Sequence, residues 1–179
     1  VNPWHDFPVG SNPPEVVTAV VEIPRGSRNK YELDKVSGQF RLDRVLFSAV
    51  HYPGDYGFIP RTLHEDGDPL DIIVSINEPT FPGCQIDCRP LGVLKMLDRG
   101  EPDDKIIAVP SYDPFYHDYF DIADLSQHYL KEVEHFFHIY KDLEGRRVEI
   151  VGWEKSEVAI KVILDSIERY EEKYLRVGP

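Results

Sequence analysis

The 179 residues include 41% apolar and 12% aromatic side chains, enough for a folded core and too many for a disordered chain. The formal charge of −12 disfavours nucleic acid and anionic membrane, which are bound through clustered Lys and Arg, and it also repels phosphate substrates unless cations stand between. No apolar run approaches the roughly 18 residues of a membrane span. The opening Val1-Asn2-Pro3-Trp4-His5-Asp6 has neither the basic start nor the apolar stretch of a secretory signal, so a cytoplasmic chain forming one domain over 1–179 is expected.

A Pro-rich arm leads into a β-branched run, 16–23, which reads as a strand stopped by Pro24 and turned at Gly26. Further strands are predicted over 30–34, 39–42, 71–76, 86–89, 92–96, 106–109 and 147–151. Cys84 and Cys88 have a spacing that fits neither a zinc ribbon nor a thioredoxin motif, so they read as reduced thiols. The stripe Tyr129, Val133, Phe136, Phe137 and Tyr140 predicts a helix over 125–143, with Gly145 just past its end. A second stripe, Ala159, Ile163, Ile167, Tyr170 and Tyr174, predicts a helix over 156–175 with Ser156 as N-cap and Lys173 and Arg176 at the end its dipole favours. Many short strands at close spacing suggest a small β-barrel followed by two helices, an α+β chain that is mainly β. Neither a G-x-G-x-x-G nor a Walker A sequence is present, which argues against a nucleotide-binding fold.

The chemistry concentrates in Asp66-Gly67-Asp68-Pro69-Leu70-Asp71, a loop running into a strand. Carboxylates held this close repel one another, and withdrawing them from water costs several kcal/mol per ion unless a cation neutralises them. Hard oxygen ligands suit Mg²⁺, Mn²⁺ or Ca²⁺. An EF-hand does not fit: Leu70 holds the fifth position, Asp71 the invariant glycine's and Asn77 the bidentate glutamate's. A solvated turn accounts for the loop equally well when it is taken alone. Asp98, Glu101, Asp103 and Asp104 form a second cluster at another strand end, within which Glu101 and Asp104 read as a solvated face. Glu22 and Glu32 add carboxylates in or beside early strands, and strand alternation puts Lys30 and Glu32 on one face. Arg44, Lys105, Tyr140, Lys141, Tyr52 and Tyr56 supply a basic and phenolic counterpart, although Tyr140 also fits the helical core stripe. His135 and His138 lie on the first helix with no third ligand in view and read as structural or interface residues.

The acidic signature and the ordered stretches Glu22-Ile23-Pro24, Lys30-Tyr31-Glu32-Leu33-Asp34-Lys35, Leu42-Asp43-Arg44, Tyr52-Pro53, Asp55-Tyr56-Gly57, Arg89-Pro90-Leu91-Gly92-Val93-Leu94-Lys95-Met96, His135-Phe136-Phe137, Tyr140-Lys141-Asp142-Leu143 and Glu149-Ile150-Val151-Gly152-Trp153 resemble the family I soluble inorganic pyrophosphatases of prokaryotic type. The resemblance implies an OB-like five-stranded closed barrel with two main helices in the C-terminal half. It implies hydrolysis of diphosphate, entering as its magnesium complex, to two phosphates without a covalent intermediate, and assembly as a homohexamer. Several Mg²⁺ ions per site are implied, with Mn²⁺ or Zn²⁺ as substitutes. Metal ligation falls to Asp66, Asp71, Asp98 and Asp103, with Glu32 at a further ion. Asp68 is implied as the base, and Lys30, Arg44, Lys105, Tyr140, Lys141 and Tyr56 as phosphate-contacting or catalytic groups. Glu22 and Tyr52 surround them. Asp55, where bacterial members often carry Asn, and Ile139, where they often carry His, depart from the pattern. The rival readings are an OB-type oligonucleotide-binding module, which the negative charge opposes, and a hydrolase of nucleotides or longer polyphosphates, which no base-recognition motif supports.

Overall fold

In the computed structural model, which describes residues 1–176, the short β-branched runs pair into a ring. Its strands are β1 (Val17–Ile23), β4 (Asp55–Phe58), β5 (Asp71–Val74), β8 (Lys105–Pro110) and β6 (Gln85–Asp98), and the ring closes through β6 pairing back onto β1. Only β5 and β8 run parallel; the other pairs are antiparallel. This is the barrel expected of the sequence. β7 (Glu101–Pro102) and β9 (Val148–Lys155) pair with β6, and β2 (Asn29–Leu33) and β3 (Phe40–Val45) form a separate hairpin.

Sequence patterning divides β6 in two at Pro90, a residue without an N–H for the ladder. The strand instead runs through, with Pro90 at an irregularity between Pro90 and Gly92. β4 went unpredicted because its Gly and the Pro53-Gly54 before it signal a turn. Gly57 is required there by close approach: a Cβ would stand 1.8 Å from the Val20 carbonyl oxygen on β1.

Alternate residues of the barrel strands serve two faces. Ile73, Ile107 and Val109 join a core covered by α2 (Gln127–Ile139) through Val133, Phe136 and Phe137. Ile72, Val74, Ile106 and Ala108 join a core covered by α3 (Ser156–Tyr174) through Ala159, Val162 and Ile163. α2 is shorter than predicted, ending at Ile139; a 3-10 turn, Asp142–Glu144, follows, and Gly145 at φ 74° closes that turn rather than the helix. Ser156 is the first residue of α3, not its cap. Its N–H donates to Asp121 Oδ1 at 3.0 Å, so a distant side chain serves the helix start. In the arm, Pro3–Asp6 forms one short turn, α1, capped by Asn2.

Asp55 is fully buried and accepts from the Arg25 N–H at 2.8 Å, the Thr80 N–H at 3.0 Å and the Thr80 hydroxyl at 2.5 Å. Its carboxylate fastens two loops, a task for an acceptor with four lone-pair sites. The departure at Asp55 is therefore structural.

Candidate active site

The strand ends and loops that carry polar side chains converge at one end of the ring. Parallel registry sets Asp71, first residue of β5, against Lys105, first residue of β8. In the hairpin, registry sets Lys30 against Arg44. The loop before β5 carries Asp66 and Asp68, the end of β6 carries Asp98, and the residues after α2 carry Tyr140 and Lys141. With Glu22, Glu32, Tyr56 and Asp103 these line a single cleft of about 440 Å³. Of the residues expected at the site only Tyr52 stands outside the lining; it is buried behind Tyr56, the ring centres 5.4 Å apart.

Lys105 lies at the floor, 2% exposed, donating to Asp71 at 2.5 Å, Asp103 at 2.8 Å and the Tyr56 hydroxyl at 2.8 Å. Burial disfavours its charge, but the Asp103 and Asp71 carboxylates outweigh that and hold its pKa well above the ordinary lysine value. One ammonium cannot compensate both acids. Burial, with Asp103 adding repulsion, pushes Asp71 up to about 6, while burial of Asp103 is overcome by Lys105 and its pKa falls.

The same shortage of positive charge extends outward. Burial, then the carboxylates of Asp71, Asp103 and Asp68, push Asp66 up to about 7, although the Asp68 N–H donates to it at 3.0 Å. Burial pushes Glu22 up to about 8, against an N–H donated by Leu33 at 2.8 Å. At Asp98 the balance reverses: Lys141 at 2.7 Å and Arg146 at 3.0 Å outweigh burial and lower its pKa.

These shifts set a pH dependence. Asp66 and Glu22 bind a proton more tightly folded than unfolded, so their contribution to stability is present at low pH and is lost as pH rises through about 7 and about 8. His5 and His64, lowered mainly by burial, act oppositely, and their effect fades as pH rises above the unfolded value of 6.5. The cation-free protein is thus expected to lose stability between pH 6.5 and 8, measured as a falling urea midpoint, and divalent cations are expected to reverse the trend.

The carboxylate set fits hard divalent cations: oxygen donors crowded together, with raised pKa values that a positive charge would relieve. Among the described residues, no group of three or more His, Cys, Asp or Glu side chains converges on a metal-sized point. The acids are instead paired with basic side chains. Lys105 lies between Asp71 and Asp103, Lys141 and Arg146 hold Asp98, and Lys35 pairs with Asp68.

Several groups were not singled out in the sequence. Asp43 accepts from Lys30 at 3.2 Å and Arg44 at 2.5 Å, and Glu144 holds Arg44 Nε at 2.7 Å. Glu144 and Arg146 lie in the turn after Tyr140-Lys141, so their proximity to that pair was the available signal. Asp104 is a correction: it is 3% exposed, not solvated, with Lys95 at 2.7 Å and His64 at 3.6 Å. Glu101 is exposed, as read. His135 and His138 line a separate groove with Lys131 and Arg147. Cys84 and Cys88 are free, and burial raises the Cys88 thiol pKa.

No helix is long and apolar enough to cross a membrane among the described residues. The family model described as inorganic pyrophosphatase matches residues 19–171. The chain is 52% identical over 158 residues to the inorganic pyrophosphatase of Halalkalibacterium halodurans, covering 88% of this chain and 97% of the relative. It is 49% identical over 175 residues to that of Haloferax volcanii, covering 97% of this chain and 99% of the relative. The crystal structure of inorganic pyrophosphatase from Thermus thermophilus superposes with a TM-score of 0.92 at 44% identity, covering 96% of this chain and 99% of that one. A barrel with one cleft lined by interleaved acidic and basic side chains thus has relatives across nearly its whole length, and the chain belongs to the inorganic pyrophosphatase family of enzymes.

Proposed function

We propose that the chain hydrolyses inorganic pyrophosphate, taken up as its magnesium complex, to two phosphates in one direct attack by water, with no covalent intermediate. The observation that carries this reading is the opposition within one cleft of the underneutralised acids, Asp66, Asp71 and Glu22, and the cations Lys30, Arg44 and Lys141. Asp66, Asp71, Asp98 and Asp103 would hold divalent cations, Mg²⁺ foremost with Mn²⁺ or Zn²⁺ as substitutes, and Glu32 a further one. When bound, such ions neutralise phosphate charge and lower the pKa of water.

The protein's own groups supply the rest. Phosphoryl transfer needs positioning and charge stabilisation more than covalent help. Arg44, ion-paired with Asp43 and Glu144, exchanges them for phosphate, and Lys30 flanks it from the paired strand. Lys105 and Lys141 exchange their carboxylate partners for phosphate oxygens. The hydroxyls of Tyr56 and Tyr140 donate at the same wall. Asp68, on the exposed rim of the cleft, takes the proton of the attacking water. Glu22 and Tyr52 support this arrangement from behind. The chain acts in the cytoplasm as a homohexamer in this reading, which the family resemblance supports and sedimentation tests.

Phosphate release from pyrophosphate, compared with ATP, in Mg²⁺, Mn²⁺ and EDTA tests the whole reading. Rapid release from pyrophosphate with Mg²⁺, slow release from ATP and none in EDTA is expected. Equal rates on the two substrates, or activity in EDTA, overturn it.

A further inference from the structure

An element outside the cleft touches the supports of two of its acids. α1 lies against α3, with Trp4 stacked on His5 at 4.5 Å and His5 Nδ1 2.8 Å from the Tyr170 hydroxyl. From this seat it reaches in two directions. Asn2 Nδ2 donates to the Lys35 carbonyl at 2.7 Å, and the ammonium of Lys35 pairs with Asp68 and lies 5.8 Å from the centre of the Trp4 ring. Trp4, 4% exposed, donates from Nε1 to the Thr62 carbonyl at 2.8 Å. Thr62 is fully buried, and its hydroxyl oxygen accepts the N–H of Leu70, the residue before Asp71, at 3.0 Å.

Ordinary packing accounts for the Trp4 ring. It does not account for Asn2. The cap of α1 needs only Asn2 Oδ1, which accepts the Trp4 N–H at 3.0 Å. The second half of the amide holds a turn 33 residues away, the turn that carries the ammonium on Asp68. An exposed lysine–carboxylate pair contributes little to stability. A lysine whose backbone is anchored and whose head lies by an indole ring has fewer places to put its charge, so the contact serves geometry.

We propose that Asn2 and Trp4 are positioning residues for hydrolysis, acting through Lys35 and Thr62 to fix Asp68 and Asp71 relative to each other. This rests on the role proposed above for Asp68. Asn2→Ser keeps a capping acceptor, adds no charge and removes the donor to Lys35. It is expected to lower kcat on pyrophosphate about five-fold with KM nearly unchanged, the behaviour of a displaced catalytic group. In a Lys35→Met background the same substitution is expected to have no further effect, because the route it acts through is gone. Trp4→Phe keeps an aromatic ring, loses the Nε1 donor and is expected to lower kcat as well.

Additive effects of Asn2→Ser and Lys35→Met overturn the proposal. So does a fall in thermal midpoint with kcat unchanged in both Asn2→Ser and Trp4→Phe, which assigns the arm to stability alone. Asp68→Asn, assayed separately, keeps the two readings apart. Near wild-type turnover in that variant removes the base role, whereas the Asn2–Lys35 coupling is judged on its own cycle.

Discussion

Asp68→Asn is expected to lower kcat for pyrophosphate about a thousandfold, the range of a lost general base, while leaving divalent-cation affinity nearly intact. The position of Asp68 separates these two effects. Asp71 and Asp103 share Lys105 and Asp98 is held by Lys141, but Asp68 lies on the exposed rim, its carboxylate paired, among the described residues, with Lys35 alone. An amide of the same size keeps the loop hydrogen bonds made by the Asp68 backbone, which donates to Asp66 and accepts from His64 at 2.7 Å. What it removes is a proton acceptor. Steady-state phosphate release gives the first quantity and calorimetric titration with Mg²⁺ the second. Turnover near the wild-type rate would show that Asp68 is not the base; lost cation binding would make it a ligand instead.

Asp71→Ala is expected to abolish measurable turnover and to weaken cation binding at least about a hundredfold, as removal of a central ligand does. The stability consequence runs the other way. Burial raises the Asp71 pKa to about 6, so keeping it ionised at pH 8 destabilises the folded chain relative to the unfolded one. Replacing it with Asn leaves Lys105 paired with Asp103 alone, a neutral buried pair in place of one carrying excess negative charge. Cation-free Asp71→Asn is therefore expected to be no less stable than wild type at pH 8, by urea denaturation, although it is inactive. A wild-type Mg²⁺ titration in Asp71→Ala would contradict its place at the centre of the cation site, and a large loss of stability in Asp71→Asn would show that the pair with Lys105 outweighs the burial of its charge. The expected result is a stability–activity trade at one residue, with binding energy for cations stored as repulsion among acids.

The residues that make this site were legible individually because each belongs to a short local pattern. Asp66 to Asp71 form an acidic loop entering a strand, Lys30 and Glu32 share a strand face, and Tyr140 and Lys141 close a helix. Two-residue alternation and helical periodicity located most strands and both main helices, since these depend on neighbours close in the chain. Predictions failed where a local signal was overruled by a distant contact. Pro90 sits inside a long strand because a bulge accommodates it, Gly57 lies in a strand because Val20 presses against it, and α3 starts on a carboxylate from residue 121.

Asp104 shows the same limit within the site. By composition it belongs to a solvated acidic run, yet it is buried against Lys95 and His64, whereas Glu101, three residues earlier, is exposed. Nothing in the run itself distinguishes the two; the fold of the turn onto the acidic loop does. The roles of Lys35, Glu144 and Arg146 are hidden in the sequence for a related reason: an ordinary surface residue becomes a partner of Asp68, Arg44 or Asp98 only once separate loops meet.

The sequence alone determined the small barrel with two helices, because strand and helix periodicity are local, and its ordered motifs carried the resemblance that implied phosphate hydrolysis. Which acid faces which cation was decided by the tertiary structure alone. The pairing of Asp71 with Lys105 follows from registry between strands more than thirty residues apart, and the elevated pKa values follow from burial, and neither quantity is written in local sequence.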